Sequence, residues 1–357
     1  MSNEIELKLI VSPAMFNVLA QHLQQFNPLE HQRIFLGNTY YDYPDHFLAK
    51  QKMGLRIRQE NQTITLTLKT DGQVVGGLHS RPEYNLPLVE KETPTNEMLR
   101  TLYPFEQLPI TPLQPIFSTD FDRTFWLIPF RDSKIEVAFD QGKIVSGGHL
   151  QPICEIEFEL KEGNIADLFY FVEALPILTD MYFSGASKAK RGYLLGQRVV
   201  LTDWLSKWRD FLQAEGKEST VDFQAKFNAL LKMEQDLVEE TLSLPSTLFS
   251  SDFMKTVERV GAFFNLYHYY DENKTLLERV VAAKNGALIE ENFLEDLLES
   301  NQHFFTEIQH LIRFHSETKD NEKTIEKLTA LFKDRFYFER MLKLMRLSVL
   351  NEPQIHH

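Results

Sequence analysis

The N-terminal segment Glu4-Ile5-Glu6-Leu7-Lys8 alternates charged and apolar residues. In a β-strand, successive side chains point to opposite faces, so Glu4, Glu6 and Lys8 share one face and Ile5, Leu7 and Leu9 the other. The same pattern recurs along the chain. Leu55-Arg56-Ile57-Arg58 places two guanidiniums on one face, and Thr65-Leu66-Thr67-Leu68-Lys69 ends on a lysine. Ile135-Glu136-Val137-Ala138-Phe139-Asp140 carries two acids, and Cys154-Glu155-Ile156-Glu157-Phe158-Glu159-Leu160 carries three on one face. A single strand of this kind is an exposed charged edge. Several strands with charges of both signs are better explained by a closed barrel whose interior is charged.

The turn residues organise these strands. Strands are expected over 34–41, 54–58, 63–69, 83–88, 117–129, 134–140, 143–146 and 153–160. Gly76-Gly77 and Gly147-Gly148 mark turns. Ser12-Pro13 before Met15, Leu19, Leu23 and Phe26 predicts a capped amphipathic helix, and 164–175 a second. Beyond residue 200 the only glycines are Gly216, Gly261 and Gly286 and the only prolines Pro245 and Pro353, which indicates helices. The switch falls near 196–203, with Asp203 able to cap the first helix. Trp204, Leu205, Trp208, Phe211 and Leu212, then Phe223, Phe227, Leu230 and Leu231, follow helical spacing. So do Phe253, Val257, Val260, Phe263 and Phe264, then Phe293, Leu294, Leu297 and Leu298, and last Met341, Leu342, Leu344 and Met345. The expected architecture is α+β: an N-terminal antiparallel barrel with flanking helices over residues 1–200, and an all-α bundle over 201–357.

Composition narrows the function. The chain has 357 residues, enough for two domains, and one cysteine, Cys154, which excludes an intrachain disulfide. Cys154 is expected on the face opposite Glu155, as a small core residue. The net charge of −13 argues against a general nucleic-acid binder, although a local basic site could still hold a polyanion. No stretch is apolar enough to span a bilayer, and the charged strand starts too near the first residue for a cleaved leader. The expectation is a soluble, cytoplasmic protein without membrane or nucleic-acid partners.

The ordered motifs resemble the CYTH domain of the triphosphate tunnel metalloenzymes. Glu4-Ile5-Glu6-Leu7-Lys8 resembles the family's ExExK signature, and Asn38-Thr39-Tyr40-Tyr41-Asp42-Tyr43-Pro44-Asp45 its tyrosine-aspartate-x-proline strand end. Leu55-Arg56-Ile57-Arg58 resembles its LRxR strand. Lys69, Arg81 and Arg123 fall where further basic strands are expected. The run from Glu155 to Glu159 resembles the late glutamate strand, and Ser187-Lys188-Ala189-Lys190-Arg191-Gly192-Tyr193 the closing segment. The likeness is closest to bacterial inorganic triphosphatases with a C-terminal helical CHAD-type domain, and it implies an eight-stranded tunnel.

The resemblance implies chemistry that the residue types support. Lys8, Arg56, Arg58, Lys69, Arg81, Arg123, Lys188 and Arg191 would bind triphosphate, with Lys8, Arg58, Lys69 and Lys188 in the catalytic set. Arginine forks match phosphate oxygens and lysine supplies a point charge. Carboxylates would repel such a ligand unless divalent cations lie between, so Glu4, Glu6 and Glu157, with Glu155 or Glu159, are the candidate ligands for two Mg²⁺ or Mn²⁺ ions. Glu83, Glu136 and Asp140 are candidates for supporting the ligands, positioning water or pairing with arginines. The expected reaction is metal-dependent hydrolysis of inorganic triphosphate to pyrophosphate and orthophosphate. The alternatives are a nucleoside or thiamine triphosphatase, a CYTH-type adenylyl cyclase, and a non-catalytic (poly)phosphate-binding module. The helical region departs from the basic pattern of a CHAD domain. Its nearest polyphosphate candidate is His310, Arg313 and His315, beside acidic clusters, so it reads as a shortened, degenerate version that packs on the tunnel or forms a homodimer.

Overall fold

The computed structural model describes residues 2–75, 78–176, 181–197, 199–215, 222–284 and 292–349. Two compact units emerge, Met1–Pro176 with Ser184–Val199, and Ile177–Phe183 with Val200–His357. In the first, β1 (Ser2–Ile10), β2 (Glu30–Asp42), β3 (Gly54–Glu60), β4 (Thr63–Lys69), β6 (Leu78–Leu88), β7 (Gln114–Phe130), β8 (Ser133–Ser146) and β9 (His149–Glu162) form a closed barrel. The order is β1-β9-β8-β7-β2-β3-β4-β6, and β6 returns to pair with β1. Every neighbour is antiparallel. A short β5 (Gln73–Val75) pairs with the start of β6. Closure leaves no free edge among the eight barrel strands.

The barrel is apolar outside; inside it is charged, with an apolar cluster of Leu36, Tyr40, Phe117, Phe121, Ile144 and Ile153 on the same strand faces. Leu55, Ile57, Leu66 and Leu68 face outward and pack with Tyr41, Tyr43, Leu48, Leu99 and Leu102. That layer holds α2 (Phe47–Lys50) against β2 and β3, and α3 (Asn96–Leu102) against β6. Elsewhere, Phe16 of α1 (Met15–Leu23) meets Trp126 and Phe139, and Phe171 of α4 (Ile165–Glu173) meets Phe130 and Phe158. Each buried large apolar side chain contributes about 1.5–3 kcal/mol. With the apolar face committed outward, alternation fixes the charged face inward.

Several expected boundaries move. Ser12 does not cap α1 with its hydroxyl; its carbonyl accepts from Met15 N at 3.1 Å, and the helix starts at Met15. The strands expected at 134–140 and 143–146 are one strand, β8, running through Gly142. A Cβ there would lie 2.1 Å from the Asp120 carbonyl oxygen, so this glycine serves close strand packing rather than a break. Gly76-Gly77 lies outside the described residues. Cys154 lies on the face opposite Glu155 but is only half-buried, short of a core position.

The second unit is helical: α6 (Trp204–Glu215), α7 (Phe223–Ser243), α8 (Thr247–Ser250), α9 (Phe253–Glu272), α10 (Lys274–Ala283), α11 (Phe293–Thr318), α12 (Asn321–Phe332) and α13 (Arg335–Val349). Asp203 caps α6, accepting from Ser206 N at 3.0 Å. Phe227, Leu231, Phe263, Leu266, Phe304, Ile308, Leu342 and Met345 are among its buried core. Leu205, Phe253 and Val257, expected in that core, are exposed along a cleft of about 720 Å³ bounded also by Trp204, Phe264 and Ile312. No described helix is long and apolar enough to cross a membrane.

Candidate active site

Strand register brings the inward charges together. Lys8 on β1 lies opposite Glu157 on β9, and Glu6 opposite Glu159. On the other side of β1, Glu4 lies opposite the half-buried Arg81 of β6. Asp140 on β8 faces Glu155 across one ladder and Arg123 of β7 across the other. The sequence spacing placed each charge on a face; these pairings decide which charges meet.

Most of the interior acids have a cationic partner. Lys8 Nζ is 3.3 Å from Glu157, 3.9 Å from Glu6 and 4.0 Å from Glu155. Lys188 lies 2.6 Å from Asp140 and 2.9 Å from Glu157, and also pairs with Glu155. Arg123 grips Asp140 through Nε at 2.8 Å and Nη2 at 2.7 Å, and pairs with Glu157. Arg191 reaches Glu155 at 2.7 Å, and Lys69 joins Glu4 and, at 3.1 Å, Glu83. Burial opposes ionisation of Glu83, but Lys69 and Arg56 outweigh it and hold the acid down at about 2.

Lys188 comes from α5 (Lys188–Leu194), which packs on β7 and β8. The Ser187 hydroxyl caps the helix, accepting from Lys190 N at 3.1 Å. Tyr193 donates to Asp42 at 2.8 Å, and Arg191 to the Pro152 carbonyl at 2.6 Å. A Cβ at Gly192 would lie 2.3 Å from the Phe117 ring, so the glycine sets how closely the helix approaches. Asp42 also accepts from the backbone of Leu48 at 2.9 Å, which ties the end of β2 to α2.

Two groups lack that balance. Glu6 is buried beside Glu157 and Glu4, and burial together with those carboxylates raises it to about 7. Across the interior, Arg58 has no carboxylate within 4 Å among the described residues; its Nε donates to Asn38 Oδ1 at 2.9 Å. Burial, Arg56 and Arg123 lower it to about 10. The Arg56 side chain hydrogen-bonds Tyr40, and its Nε is buried without a hydrogen-bond partner. Burial raises the Tyr40 phenol, but Arg56 beside it more than offsets this. One wall is therefore short of anion and the opposite wall short of cation.

Asp140, Glu155 and Glu157 offer oxygens within 4.8 Å of one another, a hard-ligand set suited to a divalent cation. Lys188, Arg123, Arg191 and Lys8 already compensate these three, whereas among the described residues Glu6 meets only Lys8, at 3.9 Å. The donor chemistry thus fits a divalent ion, and the weaker compensation lies toward Glu4, Glu6 and Glu157. Glu159 stands apart, 2.7 Å from Lys161, which also reaches Glu136 at 3.5 Å. Glu136 therefore pairs with a lysine, and the sequence reading gave no role to Lys161 or Asn38. In the helical unit, His310 is exposed beside Glu307, whereas His315 is buried, bonded to Asn321 at 2.7 Å. The three residues suggested for polyphosphate do not form one basic surface.

The CYTH domain profile matches residues 2–193. The chain belongs to the CYTH domain family. An inorganic triphosphatase from Haemophilus influenzae is 72% identical over 348 residues, covering 98% of each chain. Among solved structures, an adenylyl cyclase candidate from Hippeastrum with a dominant triphosphatase activity is 20% identical, over 55% of this chain and 97% of that one, with a TM-score of 0.41. An adenylate cyclase candidate from Bacillus halodurans is 26% identical, over 45% of this chain and 83% of that one, with a TM-score of 0.32.

Proposed function

We propose that this CYTH protein is a metal-dependent inorganic triphosphatase that hydrolyses tripolyphosphate to pyrophosphate and orthophosphate inside the barrel. The observation that carries the reading is the split interior: on one wall Arg58, held by Asn38 with no carboxylate within 4 Å among the described residues, beside Arg56 with its Nε unpartnered, and on the other Glu6 held near 7. The near full-length likeness to the Haemophilus influenzae enzyme supports the same substrate class.

Arg58 and Arg56 would seat phosphate oxygens, and Lys8 and Lys69 would add point charge along the chain of phosphates. Arg81, half-buried on β6 opposite Glu4, extends the basic lining. Arg123, Lys188 and Arg191 are committed to carboxylates, so they set the acid wall rather than meet the ligand first. Glu4, Glu6 and Glu157 would hold Mg²⁺ or Mn²⁺, two ions in all, with Asp140 and Glu155 behind them. Bound there, the ions would polarise phosphate oxygens and activate water. As water attacks the terminal phosphorus, negative charge moves onto the leaving pyrophosphate, and fixed cations stabilise it without rearrangement. The residues up to about 200 would carry this chemistry, with the helical region as an accessory domain.

The test is phosphate release from inorganic triphosphate, ATP and thiamine triphosphate, each with Mg²⁺, Mn²⁺ or chelator, alongside Arg58→Ala. Metal-dependent release is expected from triphosphate well above the others. Arg58→Ala should lose about 1.5–3 kcal/mol of transition-state binding, roughly 10–150-fold in kcat/KM. Equal turnover of ATP would defeat the assignment.

A further inference from the structure

β2 meets β3 in a register that gives each arginine a neutral partner, Asn38 opposite Arg58 and Tyr40 opposite Arg56. Asn38 is 2% exposed. Its Nδ2 donates to the Thr119 carbonyl at 3.0 Å, while Oδ1 accepts from Arg58 Nε at 2.9 Å. A flipped amide would set oxygen against the Thr119 carbonyl and NH₂ against the guanidinium, so only one orientation satisfies both partners. The contact uses Nε and leaves the two Nη nitrogens to the barrel interior. Lys8, Lys69, Arg123, Lys188 and Arg191 each meet at least one carboxylate instead. A carboxylate would orient an arginine equally well, but it would cancel the charge that draws an anion.

We infer that Asn38 is a positioning residue that fixes Arg58 through a neutral amide, so that the guanidinium is both oriented and uncancelled for the phosphoanhydride substrate. This deepens the triphosphatase reading and rests on it. Two requirements meet at one side chain. The acceptor must be rigid, and Thr119 of β7 supplies that; it must also be uncharged, and the amide supplies that. The setting reinforces the second requirement, because Arg56 and Arg123 flank Arg58 and concentrate positive charge there.

The experiment compares wild type, Asn38→Ala and Asn38→Asp in the full chain, measuring kcat and KM for inorganic triphosphate with Mg²⁺ and the melting temperature of each. Asn38→Ala frees the guanidinium and is expected to raise KM several-fold. Asn38→Asp keeps an acceptor but neutralises Arg58, and KM should rise at least tenfold, beyond the alanine variant. A purely structural asparagine would lower the melting temperature and leave the KM of the folded enzyme unchanged. Wild-type KM in folded Asn38→Ala overturns the positioning role, and equal KM in the two variants overturns the requirement for neutrality. If the aspartate variant does not fold against the Thr119 carbonyl, the alanine variant alone decides the positioning role. Wild type that fails to turn over triphosphate removes the functional reading, and this inference with it.

Discussion

Replacing Glu6 with glutamine should make the metal-free protein more stable at alkaline pH. Glu6 is 8% exposed, and burial plus the neighbouring carboxylates Glu157 and Glu4 raise it from 4.5 to about 7. A carboxyl raised on folding stabilises the fold in its protonated form. That contribution is complete below about 4.5 and is lost as pH rises through 7, where Glu6 must ionise. At about 1.4 kcal/mol per pH unit, the interval from 4.5 to about 7 corresponds to roughly 3 kcal/mol. In a unit of this size, that is a melting shift of roughly 6–12 °C. Glutamine keeps the shape and cannot ionise. In chelator, then, Glu6→Gln should match wild type at pH 5 and melt above it at pH 8. Added Mg²⁺ or Mn²⁺ should reverse the order, because wild type gains an ion ligand that the variant lacks. Scanning calorimetry at both pH values, with and without metal, isolates Glu6, since other titrations largely cancel in the difference. A Glu6→Gln melting temperature at or below wild type at pH 8 in chelator would refute the reasoning.

Lys188→Met removes the one cation that touches Asp140, Glu155 and Glu157 together and leaves three buried acids to Arg123, Arg191 and Lys8; losing a partner from such a buried cluster should cost up to about 3–5 kcal/mol, read as a lower urea midpoint, and an unchanged midpoint would show that Lys188 does not help to neutralise them. In the helical unit, Arg340 pairs with the fully buried Glu234 and donates to Asn301 at 2.7 Å, while Tyr267 donates to Glu234 at 2.8 Å. Arg340→Met should cost about 3–5 kcal/mol, and Glu234→Leu combined with it should recover most of that; additive losses in denaturant melts would contradict the pairing. A chain ending at Val199 should hydrolyse triphosphate within tenfold of the full chain, and a folded but inactive truncation would show that the helical region completes the site.

The charged lining was legible because it obeys a period of two. Glu4, Glu6, Lys8, Arg56, Arg58, Glu155 and Glu157 announce a face from their own strands, and their mixed signs point to an enclosed interior. Partnership was not legible, because it depends on register between strands far apart in sequence. Nothing local says that Lys161 will lie beside Glu136, or that Arg123 will grip Asp140 rather than a ligand. Asn38 was quoted in a motif but given no role for a different reason: it is uncharged, and its meaning lies in the arginine opposite. The strands expected over 134–140 and 143–146 are continuous because the gap between them holds Gly142, whose bare Cα lets Phe121 and Asp120 pack close. Leu205 and Val257 fit helical periodicity yet remain exposed, since periodicity marks an apolar stripe without showing what covers each part of it.

The separation of Arg58 from Glu6 is the deeper functional signal. A barrel that needed only internal neutrality could pair its surplus cation with its surplus acid. Here β4 and β6 lie between β3 and β1 on one side of the barrel, and four strands, β9, β8, β7 and β2, lie between them on the other. Closure and register hold the two groups on different walls, at a cost to the ligand-free fold. A phosphate chain alone would satisfy the arginines while worsening the repulsion at Glu4, Glu6 and Glu157. A divalent ion alone would satisfy the acids and add positive charge to an interior that already holds Arg56 and Arg58. Together the two ligands neutralise both walls and each other. Triphosphate should therefore tighten metal binding, and metal should tighten triphosphate binding by the same factor, as linkage requires.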